Sequence, residues 1–414
     1  MKKILLLILI FILSSSTYAN GAPNIKTKAA FIRDGNLSII LGDKEKQITQ
    51  LGHVYGPMWS KDGNWLLFQK EAPSQFEQNE IQNEIWVYNV ETGEKKRIFY
   101  DGHQPMWNPI KNIVAFLDNG VLNISDLKDF HNIALGVSSF TWMPDGTGFI
   151  LSSQANLNPD GWTSPALYKK KLPEKLTEVD MFGNISEMFV IPRNLQIDNK
   201  NIMSINVDSF QYSPSKKWLS FIVSPTASLA MDSNMLCAIT SDGKKFEILD
   251  EIIYGVGVPK WAPSKDILAY IAGGGRIVFG FKGKDLKYKD FPVSLTPTNF
   301  AELNFTWVDD QSLITSRVEA KDWSNEFSEH PLPSLYSIDI NNNKQIKLTE
   351  ANNGLGDYDP YYSKSLNKLI WYRGTSITDR NRNVWIADRD GSNSKLWLKN
   401  IDSIVFYENE EKSS

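Results

Sequence analysis

A run of four short strands between Gly56 and Ile98, the return of that run at seven aromatic positions, and complementary strand fragments near the two chain ends predict an all-β protein. The expected architecture is a β-propeller of four-stranded antiparallel blades, with eight blades as the first reading and seven as the alternative. In GPMWSKDGNWLLFQKE…NEIWVYNVETGEKKRI, residues 57–60 lead into a turn at Lys61-Asp62-Gly63, and 65–69 run back. After a polar link, 85–89 is a third strand, and Glu91-Thr92-Gly93-Glu94 turns into a fourth at 96–98. Aromatic and β-branched runs punctuated by Asp-Gly and Thr-Gly are hairpin signals, because glycine accepts the positive φ of a tight turn.

The strand-leading aromatic recurs as Trp59, Trp107, Trp142, Tyr212, Trp261, Trp307 and Tyr362, in steps of 48, 35, 70, 49, 46 and 55 residues. Propeller blades repeat at about 40–50 residues. Two places before the aromatic stands Pro57, Pro105, Pro259 or Pro360 in four copies, and Phe140, Phe210 or Phe305 in the other three. Nine places after it a second aromatic closes the next strand in five copies: Phe68, Phe116, Phe221, Tyr270 and Trp371. One such sheet cannot bury both of its faces, so the units must stack on each other. Closing the stack into a ring leaves only short, protected edges.

PMWSKDGNWLLF, TWMPDGTGFIL and PKWAPSKDILAY resemble the P-x-W-S-P-D-G-x-x-[IL]-x-[FY] repeat of TolB-like β-propellers. The same repeat builds the propellers of prolyl oligopeptidase and dipeptidyl peptidase relatives. NEIWVYNVETGEKKRI and NVWIADRDGSNSKLWL resemble the second half of that repeat, and the likeness runs over about residues 28–407. It implies the fold. Its motif consists of turn and packing residues, so it implies little about activity. The family's namesake carries a small α/β domain ahead of its propeller, whereas here the strands follow almost directly on the first segment.

That first segment, 1–19, reads as a secretory signal: Lys2 and Lys3, a ten-residue apolar run at 4–13, then Thr17-Tyr18-Ala19 as a cleavage site. A membrane anchor needs about 20 apolar residues. The mature chain is therefore expected to be exported to the periplasm or beyond, with no stable membrane insertion. Losing the two lysines takes the formal charge from −4 to −6. With no basic stripe, nucleic acid is not an expected partner. Cys237 is the only cysteine, so packing alone must hold the fold.

Residues 20–414 are expected to be one domain, since the repeat register runs through without a linker. Residues 28–51 hold three strand-like runs, at 29–33, 37–41 and 46–49, and lack an innermost strand, while 401–407 is a surplus strand. A first blade made of 28–51 and 401–407 gives eight blades. If the C-terminal strand merely lengthens the last blade, the count is seven. Within the 70-residue step, 178–205 reads as an insertion, either an ordered loop or an extra pair of strands.

In such a blade the link from second to third strand and the link between blades share one face. The other turns emerge opposite. The opposite-face turns are short, at 61–64, 92–93, 145–147, 242–243 and 390–391, whereas second-to-third links are long, at 70–83, 153–165, 224–234, 317–333 and 373–383. Binding residues concentrate on long loops held by a rigid scaffold. The candidates there are Trp162, Trp323, the arginines Arg373, Arg380 and Arg382, and the neighbouring acids Asp322, Glu326 and Glu329. Tryptophan and arginine are the residues most enriched at binding hot spots.

His53 and His103 precede strand-leading tryptophans in adjacent blades and are expected on that same face near the axis. A pair falls short of the three protein ligands of a catalytic metal site, and turn stabilisation is the plainer role. Asp388-Arg389-Asp390-Gly391-Ser392-Asn393 sets oxygens at alternate positions, but Lys399 stands where a calcium loop has its glutamate. Gly273-Gly274-Gly275 reads as a hairpin turn, and no G-x-S-x-G elbow occurs. The expected function is non-catalytic binding of a protein or cell-envelope partner through the long-loop face, with no cofactor. The alternative is a lyase or hydrolase acting on a polysaccharide, with an axial site near His53 and His103.

Overall fold

In a computed structural model, described for residues 27–50, 52–76, 78–289, 294–350 and 353–408, the chain forms eight antiparallel blades around an axis. The expected signal at 1–19 lies outside the described residues. Blade 1 has the strand order Lys44–Gln47, Asn36–Leu41, Lys28–Arg33, Ser403–Phe406, so the C-terminal strand is its innermost. Blades 2 to 8 follow at 54–99, 103–135, 139–190, 206–252, 260–288, 300–347 and 356–401. Blade 6 has three strands among the described residues, and Leu295 N donates to Leu286 O at 2.8 Å along its outer edge.

The recurring tryptophan has a second function besides filling space. Its indole N–H reaches back to the innermost strand of the preceding blade. Trp59 donates to Val405 O at 3.3 Å, Trp107 to Met58 O at 3.0 Å, Trp142 to Met106 O at 3.4 Å, Trp261 to Gln211 O at 3.1 Å and Trp307 to Lys260 O at 2.8 Å. In each case the acceptor stands one place before the preceding blade's own strand-leading aromatic. Val405 thereby identifies Phe406 as the eighth member of the series. Its partner nine places on, in ring order, is the fully buried Phe31, which pairs near it through Ile404.

Eight apolar clusters, one at each blade junction, form the core among the described residues. Ala30, Ile32, Leu37 and Ile39 of blade 1 meet Val54, Leu66 and Phe68 of blade 2, and so on around. The ring shuts where Phe31 and Ile40 of blade 1 meet Ile370, Val384, Leu398 and Ile401 of blade 8. Each buried Phe or Leu contributes about 1.5–3 kcal/mol relative to exposure, so the stack is held by repetition of one modest interface. A ninth cluster lies outside this pattern. Phe281, Ala301, Leu303, Val318 and Tyr358 pack with Ile277, Trp323 and Ile377 beneath the long loops of blades 6 to 8.

Both described chain ends leave from the short-turn face. Tyr407 N donates to Lys28 O at 2.9 Å, its hydroxyl to Lys61 O at 3.1 Å, and Glu408 accepts from Ser365 N at 2.9 Å.

The structure revises several sequence boundaries. Segment 178–205 is not one insertion: Ile185–Val190 is the outermost strand of blade 4, and only the hairpin Asn194–Ile197 with Lys200–Met203 is extra. That hairpin is retained because Leu195 and Ile202 bury in the junction of blades 4 and 5. The strands Trp65–Pro73 and Ile81–Asn89 extend beyond their expected ends, leaving a link of only 74–80. Gly273-Gly274-Gly275 is no tight turn but the start of a long link, 273–284, containing a 3-10 turn at Ile277–Phe279. Among the described residues no helix is long and apolar enough to cross a membrane.

Candidate functional site

The long-loop face carries a cavity over blades 5 to 8. There the link 225–233, the inter-blade segment 253–259 and the links 273–284, 320–333 and 375–381 surround a cavity of about 580 Å³. Met231, Tyr254, Ile277, Trp323, Phe327 and Ile377 are among its walls. The ninth cluster is its floor.

The loops are tied to one another rather than to the blades alone. Gly275 N donates to Asp232 O at 2.7 Å, and Arg276 pairs with the Asp232 carboxylate at 2.7 Å. Phe281 N donates to Lys321 O at 2.7 Å, and Lys282 pairs with Asp322 at 2.7 Å. Gly280, at φ +126°, lets this crossing close: a Cβ there would stand 3.1 Å from Lys321 O. Trp323 stacks on Phe281 at 6.2 Å and packs at a tilt against the His330 ring at 4.3 Å, while His330 Nε2 lies 2.7 Å from Ser324 O. Asp379 accepts from Thr375 Oγ1 at 2.8 Å and Ser376 N at 2.9 Å, fixing the last loop.

Around the mouth stand apolar side chains that a loop folding on itself would hide. Of the lining residues, Phe327 is 64% exposed, Met231 56% and Val278 47%, while their chain neighbours Phe279 and Leu229 are 66% and 58% exposed. Single exposed hydrophobics are ordinary on protein surfaces, but a contiguous group around a cavity marks a binding surface.

The structure separates the residues that the sequence grouped. Trp323 and Asp322 belong to this basin or its rim. Trp162 does not: it pairs with Leu157 in a two-residue hairpin on blade 4. Arg373 and Arg382 are not loop residues. The hairpin of blade 8 runs further than its pattern suggests, placing Arg373 at the end of Lys368–Gly374 and Arg382 at the start of Arg382–Ala387. Arg373 binds the fully buried Asp357 through Nε at 2.6 Å and Nη2 at 2.9 Å and lies 4.3 Å over Trp385. Arg382 pairs with Asp359 at 2.8 Å and lies over Tyr372. Arg380 remains exposed in the loop.

A second inward pair lies one blade away, where Arg317 Nε donates to Glu302 at 2.7 Å. Burial holds the Glu302 carboxyl above the usual carboxylate range despite the guanidinium beside it. Burial also pushes the thiol of Cys237, inside the strand Asn234–Thr240, up.

His53 and His103 are both exposed where the innermost strands of blades 2 and 3 begin. Among the described residues, no group of three or more His, Cys, Asp or Glu side chains is placed to hold a metal ion. The Asp388 carboxylate accepts from Lys368 and from Asn393 Nδ2 at 2.6 Å, the pattern of a closed hairpin turn.

Sequence reasoning missed Met231, Tyr254, Val278, Phe327 and Ile377. The available signal was apolar residues inside polar or glycine-rich links, plainest in GGGRIVFGF.

No family model matches this chain, and no curated protein matches it. Solved structures do. A eukaryotic initiation factor aligns at a TM-score of 0.58 with 13% identity, over 93% of this chain and 88% of that one. A puromycin-hydrolyzing peptidase of Mycobacterium tuberculosis aligns at 0.51 with 12% identity, over 84% of this chain. TolB from Acinetobacter baumannii aligns at 0.37 with 12% identity, over 92% of this chain, too distant to place the chain in that family. This chain spans 53% of the peptidase's length and 66% of TolB's. At these identities the likeness shows the propeller fold alone.

Proposed function

We propose that this protein is an exported, non-catalytic propeller that binds a protein partner of the cell envelope through its long-loop face, centred on the basin over blades 5 to 8. The observation that carries the reading is the set of exposed apolar side chains Met231, Val278 and Phe327 lining an apolar cavity whose surrounding links are tied to one another. Interfaces of this kind draw their affinity from a few central apolar anchors. The test is capture from envelope extract with tagged 20–414 beside a Phe279→Ser/Phe327→Ser variant. A protein captured by the wild type and lost with the variant supports the reading. Equal capture by both moves the interface elsewhere.

The alternative, a polysaccharide lyase or hydrolase, draws on the exposure of His53 and His103 on the same face of adjacent blades. Stoichiometric metal in the wild type that disappears in a His53→Ala/His103→Ala variant would favour it.

A further inference from the structure

We propose that the link 273–284 of blade 6 is a lid, whose tip at 275–280 swings out on glycine pivots and governs entry to the cavity. This goes beyond the binding reading above and holds whatever the cavity receives.

The link is a loop on a closed neck. Its feet are the strands Leu268–Ala272 and Asp285–Tyr288, which pair through Ala272 and Asp285. Leu268, Ala269 and Leu286 in those strands are fully buried, so the neck belongs to the ring. Just above it both arms are pinned from within. Gly273 N donates to Glu251 O at 2.8 Å, and the buried Lys284 ammonium donates to Gly274 O at 2.5 Å. On the other arm Phe281 is buried and bridges to Lys321. Compact loops with closed necks are frequently functional.

The tip between these pins is held more lightly. Of its apolar residues, Ile277 packs against the clusters below, while Val278 and Phe279 stay exposed. The other ties run to the link 225–233 of blade 5. Gly275 N donates to Asp232 O, Arg276 Nη2 donates to Ser228 O at 3.2 Å, and Arg276 faces the Asp232 carboxylate. Its Nε and the Asp232 Oδ1 meet at 2.7 Å without the direction of a hydrogen bond, and Nη2 stands 3.4 Å from the other oxygen. The two side chains are 31% and 43% exposed. A pair this exposed is weak and is screened by salt. The strand ladders and filled junctions below outlast it, so local opening begins at the tip.

Two glycines supply the pivots. Gly275 sits at φ +79° with open space where a Cβ would stand, and Gly280 sits at φ +126°. Glycine passes between left- and right-handed backbone at little cost, so both ends of the tip turn while the pins stay. Arg276, Ile277 and Val278 line the cavity. Turning them outward removes one wall and uncovers the cluster that contains Ile253 and Val256. Lids of this kind set the rate at which a site fills and empties.

The test reads opening in the protein without any ligand. Amide exchange is followed at Gly275, Phe279 and Gly280, whose N–H groups donate to Asp232 O, Arg276 O and Ile277 O. Expected is exchange roughly a hundredfold faster there than in the strand Leu268–Ala272. Arg276→Ala should raise it about fivefold further at an unchanged thermal melt, and leave that strand as it was. Glu45→Gln, which breaks an exposed pair with Arg33 in blade 1, should change neither. In a Val256→Cys variant the thiol beneath the lid should react with iodoacetamide faster once Arg276→Ala is added, while the fully buried Cys237 stays unmodified. Tip amides that exchange only with global unfolding, or that do not respond to Arg276→Ala, overturn the proposal. So does a Val256→Cys thiol that reacts no faster than Cys237, or at a rate indifferent to Arg276→Ala. Should Val256→Cys fail to fold, the exchange measurement on the wild type and Arg276→Ala decides.

Discussion

Replacing Arg373 with methionine separates the two roles open to this residue. Asp357 sits on the innermost strand of blade 8, directly opposite Arg373 in register, with its side chain fully buried. Its carboxylate accepts from Arg373 Nε at 2.6 Å, Arg373 Nη2 at 2.9 Å and Trp371 Nε1 at 2.7 Å. Methionine preserves much of the stem's volume and removes two of those three donors, leaving a buried carboxylate with the indole. Breaking a buried pair from one side costs about 3–5 kcal/mol, and losing the stacking on Trp385 adds about 1 kcal/mol. Urea unfolding followed by tryptophan fluorescence at neutral pH should show a loss of about 4–6 kcal/mol at unchanged m. Adding Asp357→Asn should restore at least half of it, because the amide still accepts from Trp371 and carries no charge. A loss under about 1 kcal/mol would mean that solvent reaches the pair. If partner capture then fell while stability held, the arginine would be a binding residue after all.

Two further outcomes follow from the ring itself. Lys260 bridges blades 6 and 7 beside Phe305, and burial lowers its ammonium pKa to about 8 from 10.5. Below about 8 both folded and unfolded chains hold the proton and the burial penalty is fully present; between about 8 and 10.5 only the unfolded chain holds it, so the wild type gains about 3 kcal/mol as pH rises. A Lys260→Met variant lacks that gain, and parallel stability curves for the two proteins from neutral to alkaline pH would refute the burial. Deleting 402–414 removes the innermost strand of blade 1 and the acceptor for the Trp59 indole. The exposed edge of Lys28–Arg33 should aggregate the chain, and a soluble variant melting cooperatively near the wild type would show that the ring does not need its closing strand.

The fold was legible because its determinants are local and repeated. Trp107 or Pro105 signals a strand start wherever it stands, and seven copies average out the departures. Composite blade 1 could be inferred from its missing and surplus strands, but Phe406 and Phe31 escaped the count because ring closure places their two halves at opposite ends of the sequence. The site was less legible. Trp323 and Asp322 were singled out by residue type and do lie at the basin, yet the same criterion chose Trp162, Arg373 and Arg382. A tryptophan or arginine reads alike in sequence whether it faces a partner or a buried carboxylate. What decided the outcome for Arg373 was Asp357, sixteen positions earlier and across a hairpin register that sequence pattern placed two residues short. Phe279 and Phe327 were overlooked for the converse reason: hydrophobic residues are expected to be buried, and only the structure shows that these are not.

The division of labour between the faces explains why the site can be built without disturbing the ring. On the short-turn face, neighbouring blades are linked by turn residues: Asn112 Nδ2 to Asp62 at 2.9 Å, Ser215 N to Asp266 at 3.0 Å, Ser264 N to Asp310 at 2.8 Å. Those links, the five indole bonds and the eight junction clusters lie within the blades or behind them. The ninth cluster is different, because Phe281, Ile277, Trp323 and Ile377 come from links that ring closure does not require. It forms over blades 6 to 8, where three long links lean together, and not where the link of blade 2 shortens to 74–80. Packing that closure does not require thus frames the cavity lined by Trp323, Phe327 and Ile377.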